Sequence, residues 1–486
     1  MLFNSFQFLV FFTIVTTLYF VLPHKYRWFQ LLVASCVFYM AAIPVYILIL
    51  FFTIVVDYFA GILIENADED RKKPFLIMSL VANIGILAFF KYYNFFIDNV
   101  NEVLHLANST RYLPVLHILL PIGLSFHTFQ AMSYTIEVYW GNQKAERHFG
   151  IYALYVMFYP QLVAGPIERP QNILHAFHEE HKFDYDNMVK GLRLMMWGLI
   201  KKVVIADRLL LVTDPIFDAP TQYSGVTLFL ACFFFIFQIY CDFSGYSDIA
   251  LGAAKTMGFD LMKNFNRPYT SKSLSEFWRR WHISLSTWFF DYLFTPVAAS
   301  LRRWRQGAVV VGLALTFLLS GLWHGASWNF ILWGAALGAG LIFELLTKNF
   351  RDKAFARIPK NIVGGMGRLC TVFYLILMAV FFRSKTVADS MFFYKKFLGI
   401  PGEIGRVIKT HKFGFLNLPN VYHLVIPGFL VIVLLELLEH FGEKYDLANT
   451  FQTKKPVFRW AAYYAGLILL MYFGVYEKHQ FIYFQF

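Results

Sequence analysis

Charged side chains are scarce in this sequence. Only 15% of its 486 residues are Asp, Glu, Lys or Arg, whereas 58% are hydrophobic and 20% are aromatic. Ordinary soluble domains carry about one quarter charged residues. So little charge cannot cover the water-facing surface of a chain of this length. The composition therefore excludes a soluble globular protein and indicates an integral membrane protein.

Cysteine is also rare, and no cofactor motif occurs. The four cysteines have no metal-ligand spacing and three lie in apolar stretches, which predicts packing residues. We find no Walker loop, dinucleotide glycine motif or zinc spacing, so we expect no bound cofactor or metal. The net charge of +12 is typical of cytoplasmic loops and of contacts with anionic membrane lipid. We therefore expect no nucleic-acid partner.

Long uncharged runs dominate what is present. Five of them reach the roughly 20 residues that cross a hydrocarbon core: Trp28 to Val56, Tyr112 to Ile136, Ala219 to Cys241, Gln306 to Phe343 and Phe413 to Leu435. Apolar segments are predicted at 6–22, 28–43, 45–64, 75–96, 113–137, 150–166, 188–212, 224–254, 307–324, 328–345, 365–382, 420–438 and 458–476. Because the linkers are short, we predict one all-α polytopic membrane domain over 1–486, with about 11–13 membrane segments including re-entrant ones.

Basic residues in the loops predict the orientation of the segments. The loop from Arg267 to Arg305 carries seven basic and two acidic residues, so it is expected in the cytoplasm. The loop with Asp214 and Asp218 is then expected outside. This count requires the segment 150–166, which Pro160 and Gly165 interrupt, to be re-entrant. The stretch from Arg383 to Lys412 does not fit this orientation. It is basic, as cytoplasmic loops are, but the same count places it outside.

One histidine lies in the middle of the uncharged stretch Gln306 to Phe343. His324 is flanked by glycines and by two tryptophans that could wall a pocket, and Asn329 follows shortly after. Ionisable side chains within the membrane usually serve a function, and imidazole can act as base and then acid near neutral pH. The alternative is a histidine that packs between helices and forms a hydrogen bond there.

A second histidine lies in the segment Ser275 to Trp288. Phe277, Trp281, Leu285 and Trp288 recur at helical spacing, which is also typical of an amphipathic helix at the membrane interface. In the functional interpretation His282 reaches inward, and Arg279 and Arg280 attract an anionic acyl donor.

A third polar cluster closes the apolar segment 224–254. Asp242 and Asp248 flank Gly245 there. They could bind a cation, line an aqueous funnel or bond to other helices, and we favour the lining role. His127 is expected to be structural.

Several motifs of the chain resemble, in order, those of the membrane-bound O-acyltransferase family, in its bacterial branch typified by alginate O-acetyltransferases. They include YPQLVAGPIERP from Tyr159, DFSGYSDIA from Asp242, FWRRWHISLSTWFFD from Phe277, GLWHGASW from Gly321 and the terminal block from Phe481 to Phe486. The resemblance covers essentially the whole chain. GLWHGASW at this distance after FWRRWHISLSTW is the most specific feature.

The resemblance implies a fold, a site and a reaction. The fold would be a ring of tilted helices around a central funnel in the bacterial inner membrane. His324 and His282 would be catalytic, and Arg279, Arg280, Trp323, Asn329, Asp242 and Asp248 would bind the donor or line the funnel. The donor would be acetyl-coenzyme A or another cytoplasmic acyl thioester. The acceptor would be a cell-envelope or secreted polysaccharide, reached directly or through an extracytoplasmic serine-esterase-like partner.

Other functions fit parts of this pattern. Peptidoglycan O-acetylation and teichoic-acid D-alanylation are the alternatives within the family. A secondary transporter or flippase would also have many helices and a broken segment. A transporter predicts a pair of broken segments in two corresponding halves, which the sequence does not show, and it leaves the two histidine motifs unexplained.

Overall fold

The computed structural model describes residues 1–41, 43–116, 118, 120–411, 414, 424–445, 450–451, 453–476 and 481. The terminal block therefore lies outside the described residues except for Phe481. Residues 413 and 415–423 of the uncharged run Phe413 to Leu435 also lie outside them. Within the described part the chain is helical and contains no strand. Each of the thirteen predicted apolar segments contains a helix, which confirms the all-α polytopic class.

Seven helices of the described part are long and apolar enough to cross a bilayer. They are Pro44–Asn66, Glu69–Leu106, Gly225–Thr256, Gln306–His324, Trp328–Ala354, Lys360–Arg383 and Pro456–Phe473. The other predicted segments coincide with helices that are shorter, that contain an irregular turn or, in the case of Ile426–Lys444, that carry several charged residues. Apolar side chains exposed along these helices, such as Phe52 and Leu467, are expected where a helix faces lipid.

The described residues form two compact units. The first comprises Met1–Met195 and Ser247–Lys263, and the second comprises Met196–Tyr246 and Asn264–Phe486. The first unit contains the α-helices Phe6–Val21, His24–Met40, Ile47–Asn66, Glu69–Leu87, Tyr93–Leu106, Leu124–Tyr139, Phe149–Met157, Pro170–Ile173 and most of Tyr185–Leu199.

The predicted break in segment 150–166 is present in the first unit. The helix Phe149–Met157 ends there, and the following irregular stretch to Glu168 is buried almost throughout. Irregular backbone at membrane depth requires burial in protein or a wet cavity. Here Gln161 donates from its amide to the Tyr155 carbonyl oxygen at 2.8 Å, which satisfies part of the interrupted backbone. The re-entrant course relative to a bilayer stays a prediction.

The second unit carries both histidine motifs. Its α-helices are Asp207–Asp218, Gly225–Thr256 as far as Tyr246, Leu274–Trp278, Ile283–Phe289, Thr295–Ser300, Gln306–His324, Trp328–Ala354, Lys360–Arg383, Val387–Leu398, Ile400–Thr410, Ile426–Lys444 and Pro456–Phe473. π-helical turns at Ile200–Ala206 and Phe290–Phe294 interrupt otherwise regular helices. Such turns recur near functional sites.

Ion pairs in the second unit explain the basic stretch that did not fit the charge count. Arg383 pairs with Asp214 at 2.8 Å, and Lys385 pairs with Asp218 at 2.8 Å. Further along, Glu403 accepts hydrogen bonds from the backbone N–H groups that begin helix Gly225–Thr256. Asp214 and Asp218 were predicted in a loop, but both lie in the helix Asp207–Asp218. Arg383 and Lys385 pair with the end of this helix, so their positive charge is compensated locally.

Candidate functional site

His324 is the last residue of a regular helix. Helix Gln306–His324 ends there because the chain turns extended at Gly325 and begins helix Trp328–Ala354 three residues later. The two helices approach closely at glycines. A Cβ added at Gly321 would lie 2.3 Å from the carbonyl oxygen of Phe330 and 3.1 Å from Gly334 Cα. Only glycine allows this approach, which brings the His324 turn against the next helix.

The hydrogen bond of His324 fixes its neutral tautomer. Nδ1 lies 2.6 Å from the carbonyl oxygen of Ser320, one turn earlier. A carbonyl oxygen can only accept, so Nδ1 carries the proton and donates it. In the neutral ring the lone pair is then on Nε2. This is the arrangement that a general base requires, with one nitrogen orienting the ring and the other able to take a proton.

Aromatic rings surround His324. Its ring centroid lies 4.8 Å from Trp333, 5.0 Å from Trp323 and 5.9 Å from Phe382, each at a steep interplanar angle. The side chain of His324 is 5% exposed. The rings hold the imidazole in place from several directions and lower the dielectric around it, which strengthens any charge interaction there.

His324 also lines a mostly apolar cavity that is partly open to its surroundings. Its wall contains few polar groups, chiefly the imidazole of His324 and the polar edges of tyrosine and tryptophan rings. The lining residues are Phe235, Ile236, Ile239, Tyr269, Phe277, Trp278, Trp281, His324, Trp333, Leu337, Leu375, Met378, Ala379 and Phe382. A mostly apolar cavity with a few directed polar groups is typical of a small-molecule site.

His282 is held differently, in a left-handed backbone conformation. Its φ is 43° and its ψ is 56°, and it separates helix Leu274–Trp278 from helix Ile283–Phe289. Non-glycine residues adopt this region at a cost and cluster at functional sites. Asn264 stabilises it, because its carbonyl oxygen accepts from Ile283 N at 2.9 Å and its side-chain oxygen accepts from the Ser284 hydroxyl at 2.6 Å.

This break corrects the expectation of one amphipathic interfacial helix. Phe277, Trp281, Leu285 and Trp288 do not share one helix face, and all four are buried. Asn264 accounts for the difference, since its bonds to the chain after His282 replace the hydrogen bonds of a continuous helix. The aromatic residues pack inward, and Phe277, Trp278 and Trp281 line the cavity.

The two histidines belong to one aromatic cluster. Trp323 lies 6.2 Å from the His282 ring and 5.0 Å from the His324 ring, and Phe243 packs on the other side of His282 at 4.6 Å. His282 is fully buried. Burial lowers the pKa of His282 well below its ordinary value, and the nearby His324 lowers it further. His282 is therefore a neutral ring near physiological pH.

The other predicted site residues are dispersed. Arg280 forms an ion pair with Glu276 at 2.9 Å, and Arg279 follows the end of helix Leu274–Trp278. Asn329 donates to the Ser384 carbonyl oxygen and accepts from the Ser390 hydroxyl, and both partners follow helix Lys360–Arg383. Asp242 pairs with Lys202 at 2.7 Å. Asp248 belongs to the first unit. Of the six residues, Trp323 packs against both histidine rings.

Lys202 is a further candidate that the sequence pattern could have identified. Lys202 lies in the predicted segment 188–212. Its buried Nζ is 2.8 Å from Asp207 Oδ1 and 2.7 Å from Asp242 Oδ1, so the three side chains form an ion-pair network. The rule that singles out intramembrane ionisable residues would have found it. Asn264 and Phe382 carry no such signal, because their importance depends on long-range contacts.

The described residues contain no group of three or more His, Cys, Asp or Glu that could hold a metal ion. His127, in the first unit, is buried, and its Nε2 lies 2.5 Å from the Thr53 hydroxyl oxygen.

The helices and the two histidine motifs together define a polytopic membrane protein with a buried imidazole site that is walled by aromatic rings.

Comparison with known proteins gives the class of this site. Residues 148–384 match the model of the membrane-bound O-acyltransferase family, MBOAT. A probable alginate O-acetylase AlgI of Pseudomonas aeruginosa is 35% identical over 461 residues, covering 94% of this chain and 84% of that protein. A peptidoglycan O-acetyltransferase of Helicobacter pylori is 33% identical, covering 83% and 81%. A teichoic acid D-alanyltransferase of Streptococcus thermophilus is 30% identical over 49% of this chain and 62% of its own length.

The chain belongs to the membrane-bound O-acyltransferase family. It is therefore a multi-pass membrane O-acyltransferase, as the motifs predicted, and the transporter alternative is set aside. Both histidine motifs fall inside the matched residues 148–384.

Proposed function

We propose that this protein transfers an acyl group, acetyl in the first instance, from a cytoplasmic thioester such as acetyl-coenzyme A to a hydroxyl of a cell-envelope or secreted polysaccharide. An alginate-type exopolysaccharide is the preferred acceptor, because relatives named as probable alginate O-acetylases match most of the chain. The protein would act in the bacterial inner membrane as one membrane domain over 1–486. A relative that aligns with 94% of the chain supports this organisation.

His324 is the general base in this proposal. Its Nε2 takes the proton of the acceptor hydroxyl while that oxygen attacks the thioester carbonyl carbon. The tetrahedral intermediate then collapses, the carbon–sulfur bond breaks, and the proton passes from Nε2 to the leaving thiolate. The observation that carries this assignment is the hydrogen bond from Nδ1 to the Ser320 carbonyl oxygen, which makes Nε2 the basic nitrogen of a ring that lines the cavity.

His282 acts as the helper in the same proposal. Since its ring is buried and neutral, it can orient a substrate group or relay a proton without adding charge to the site. The Trp323 ring packs near both imidazoles, at 6.2 Å from His282 and 5.0 Å from His324. Arg279 and Arg280 would attract the phosphate groups of the donor.

The cavity supports an acyl-transfer role as well. Its apolar wall would hold the acyl group against the imidazole, and a bound donor would displace the water that could otherwise hydrolyse the activated thioester. An extracytoplasmic serine-esterase-like protein that receives the acyl group first is the proposed partner where the polymer does not reach this cavity.

The decisive experiment replaces His324 by Ala in the purified protein. We expect transfer of labelled acetyl to fall by about 10²- to 10⁴-fold, the usual contribution of a general base, while thermal unfolding changes little. His127→Ala is the matched control, since it removes another buried, hydrogen-bonded histidine and should keep most activity. Near-normal turnover of a well-folded His324→Ala protein would exclude the proposed role. Activity lost only in step with folding would favour a packing histidine.

A second acceptor class has specific support. The peptidoglycan O-acetyltransferase of Helicobacter pylori is 33% identical over 83% of this chain. The test is a panel of labelled-acetyl assays with alginate, peptidoglycan fragments and teichoic acid as acceptors. Transfer to peptidoglycan fragments with none to alginate would assign this alternative, and transfer of D-alanine to teichoic acid would assign the other.

The proposed orientation follows the loop charges and the ion pairs. Arg267 to Arg305 would lie in the cytoplasm, and Asp214 and Asp218 outside together with Arg383 and Lys385. Single cysteines placed at Arg303 and at Lys385, in a background without the native cysteines, should be labelled from opposite sides of sealed cells. Labelling of both from one side would contradict this orientation.

A further inference from the structure

Asn329 is buried and its amide is engaged at both ends. It is 2% exposed and is the second residue of helix Trp328–Ala354. Its Nδ2 donates to the carbonyl oxygen of Ser384 at 2.8 Å, and the Ser390 hydroxyl donates to its Oδ1 at 3.2 Å. Because the Ser384 carbonyl only accepts, the amide has a defined orientation. A buried amide satisfied in this way holds two distant segments together.

The segment that Asn329 holds is itself anchored. The ion pairs of Arg383 with Asp214 and of Lys385 with Asp218 lie on either side of Ser384. Just beyond, Thr386 and Asp389 form a complete capping box that begins helix Val387–Leu398, which contains Ser390. Asn329 therefore attaches the start of helix Trp328–Ala354 to a fixed point.

The same segment supports the imidazole. Phe382, two residues before Ser384, packs 5.9 Å from the His324 ring and 5.3 Å from both Trp333 and Phe330. The turn that follows His324 has no rigid element of its own, since it consists of three residues between two helices. Its geometry depends on what fixes the first residues of the second helix.

We propose that Asn329 positions His324 through its hydrogen bonds to Ser384 and Ser390. These three residues, here called the latch, fix the turn that follows helix Gln306–His324 and keep Phe382 against the imidazole. Asn329 does not contact the acyl donor in this role. The inference rests on the proposed function of His324, and it replaces the expectation that Asn329 binds the donor or lines a funnel.

The latch predicts the pattern of kinetic defects. Asn329→Ala should lower kcat by about ten- to a hundredfold, the range for groups that orient a functional residue, with the KM for acetyl-coenzyme A unchanged. Asn329→Asp should be at least as impaired, because the carboxylate keeps the shape but turns an acceptor towards the Ser384 carbonyl. Ser390→Ala removes only the longer bond and should cost a few-fold.

A second readout reports the imidazole without using activity. Diethyl pyrocarbonate labelling of His324, followed by peptide mass spectrometry, should be several-fold faster in Asn329→Ala than in the parent protein. Asn83→Ala is the matched control, because Asn83 is also a buried amide in a membrane helix but bonds to Asp57 and Ser79. It should leave both kcat and the labelling rate of His324 unchanged.

The outcomes separate the latch from the proposed function. If the KM for acetyl-coenzyme A rises while kcat holds, Asn329 binds the donor and the latch is wrong. If kcat falls only in proportion to lost folding, and labelling of His324 is unchanged, Asn329 is merely structural. If His324→Ala is active, the proposed function fails, whatever the Asn329 variants show.

Discussion

The two histidines of the aromatic cluster are held by opposite means. His324 ends a regular helix, and its own preceding turn orients the ring through the Ser320 carbonyl. His282 sits in a left-handed break between two short helices, and Asn264 from another segment stabilises that break. The His324 ring is positioned by a hydrogen bond within its own helix, whereas the His282 ring depends on hydrogen bonds from Asn264 to the residues that follow it. We expect this difference to separate their responses to substitution.

The largest effect concerns activity of the two histidine variants. His324→Ala should lose roughly 10²- to 10⁴-fold in turnover, about 3 to 5 kcal/mol of barrier, and His282→Ala about ten- to a hundredfold. The double variant should be no worse than His324→Ala alone, because a helper contributes only while the base is present. Initial rates of labelled-acetyl transfer measure all three. Multiplicative losses in the double variant would show that the two rings act independently.

The arginines next to His282 give the next largest effect. Arg279→Gln with Arg280→Gln should raise the KM for acetyl-coenzyme A by about tenfold with little change in acceptor KM, because two positive charges near the donor phosphates are removed. The paired control is Arg302→Gln with Arg303→Gln, which removes the same charge from an exposed turn of the same loop. An unchanged KM for acetyl-coenzyme A in a normally inserted Arg279/Arg280 variant would mean that these arginines contact lipid instead, and an equal rise of KM in both double variants would show a general charge effect of the loop.

Acid sensitivity of folding should come from His282. Its pKa is lowered in the folded protein, so below the ordinary pKa near 6.5 the unfolded chain binds a proton that the folded chain does not. The stability that the neutral ring contributes is therefore present above about pH 6.5 and is lost as pH falls, by up to about 1.4 kcal/mol per pH unit. The drop in unfolding midpoint from pH 7.5 to 5.5 should be smaller in His282→Ala than in the parent. An identical drop would contradict a buried neutral ring.

The smallest expected effect is on stability, and it distinguishes the backbone conformation at His282 from that at His324. At His282 glycine should be more stable than alanine by about 1 kcal/mol, because a left-handed conformation penalises any Cβ. At His324 the order should reverse by a similar amount, since alanine favours a helix over glycine. The four variants share the loss of an imidazole, so their unfolding midpoints compare backbone alone. A higher unfolding midpoint for alanine than for glycine at His282 would show that the left-handed conformation there is not kept.

The membrane helices follow from the sequence because burial in lipid requires long apolar runs that satisfy their own backbone. Each predicted segment contains a helix for that reason. The break after Met157 was also predictable, since Pro160 and Gly165 interrupt the run. The left-handed turn at His282 was not, because the spacing of Phe277, Trp281 and Leu285 suits a continuous helix equally well.

The candidate site was predictable only in part. His324 stands out as an ionisable group in an uncharged run, and its role depends on a bond within its own helix. Asn329 acts through Ser384, which is 55 residues away, and Asn264 braces Ser284 across 20 residues. Such partners are set by tertiary packing, so a supporting role for these amides could not be predicted from sequence patterns. Lys202 was predictable from its position in an apolar segment but was not singled out.

The glycine contact between the two helices around His324 determines how the cavity can admit a ligand. Gly321 and Gly334 bring the backbones together with no side chain between them, so the hairpin cannot widen without breaking its closest contact. Helix Lys360–Arg383 also lines the cavity, through the unbranched or flexible side chains of Leu375 and Met378 as well as through Phe382, which packs on the imidazole. Side-chain rotation at Leu375 and Met378 is therefore the easier way to admit an acyl group, and an inhibitor that packs against these two residues would block entry without competing for the imidazole.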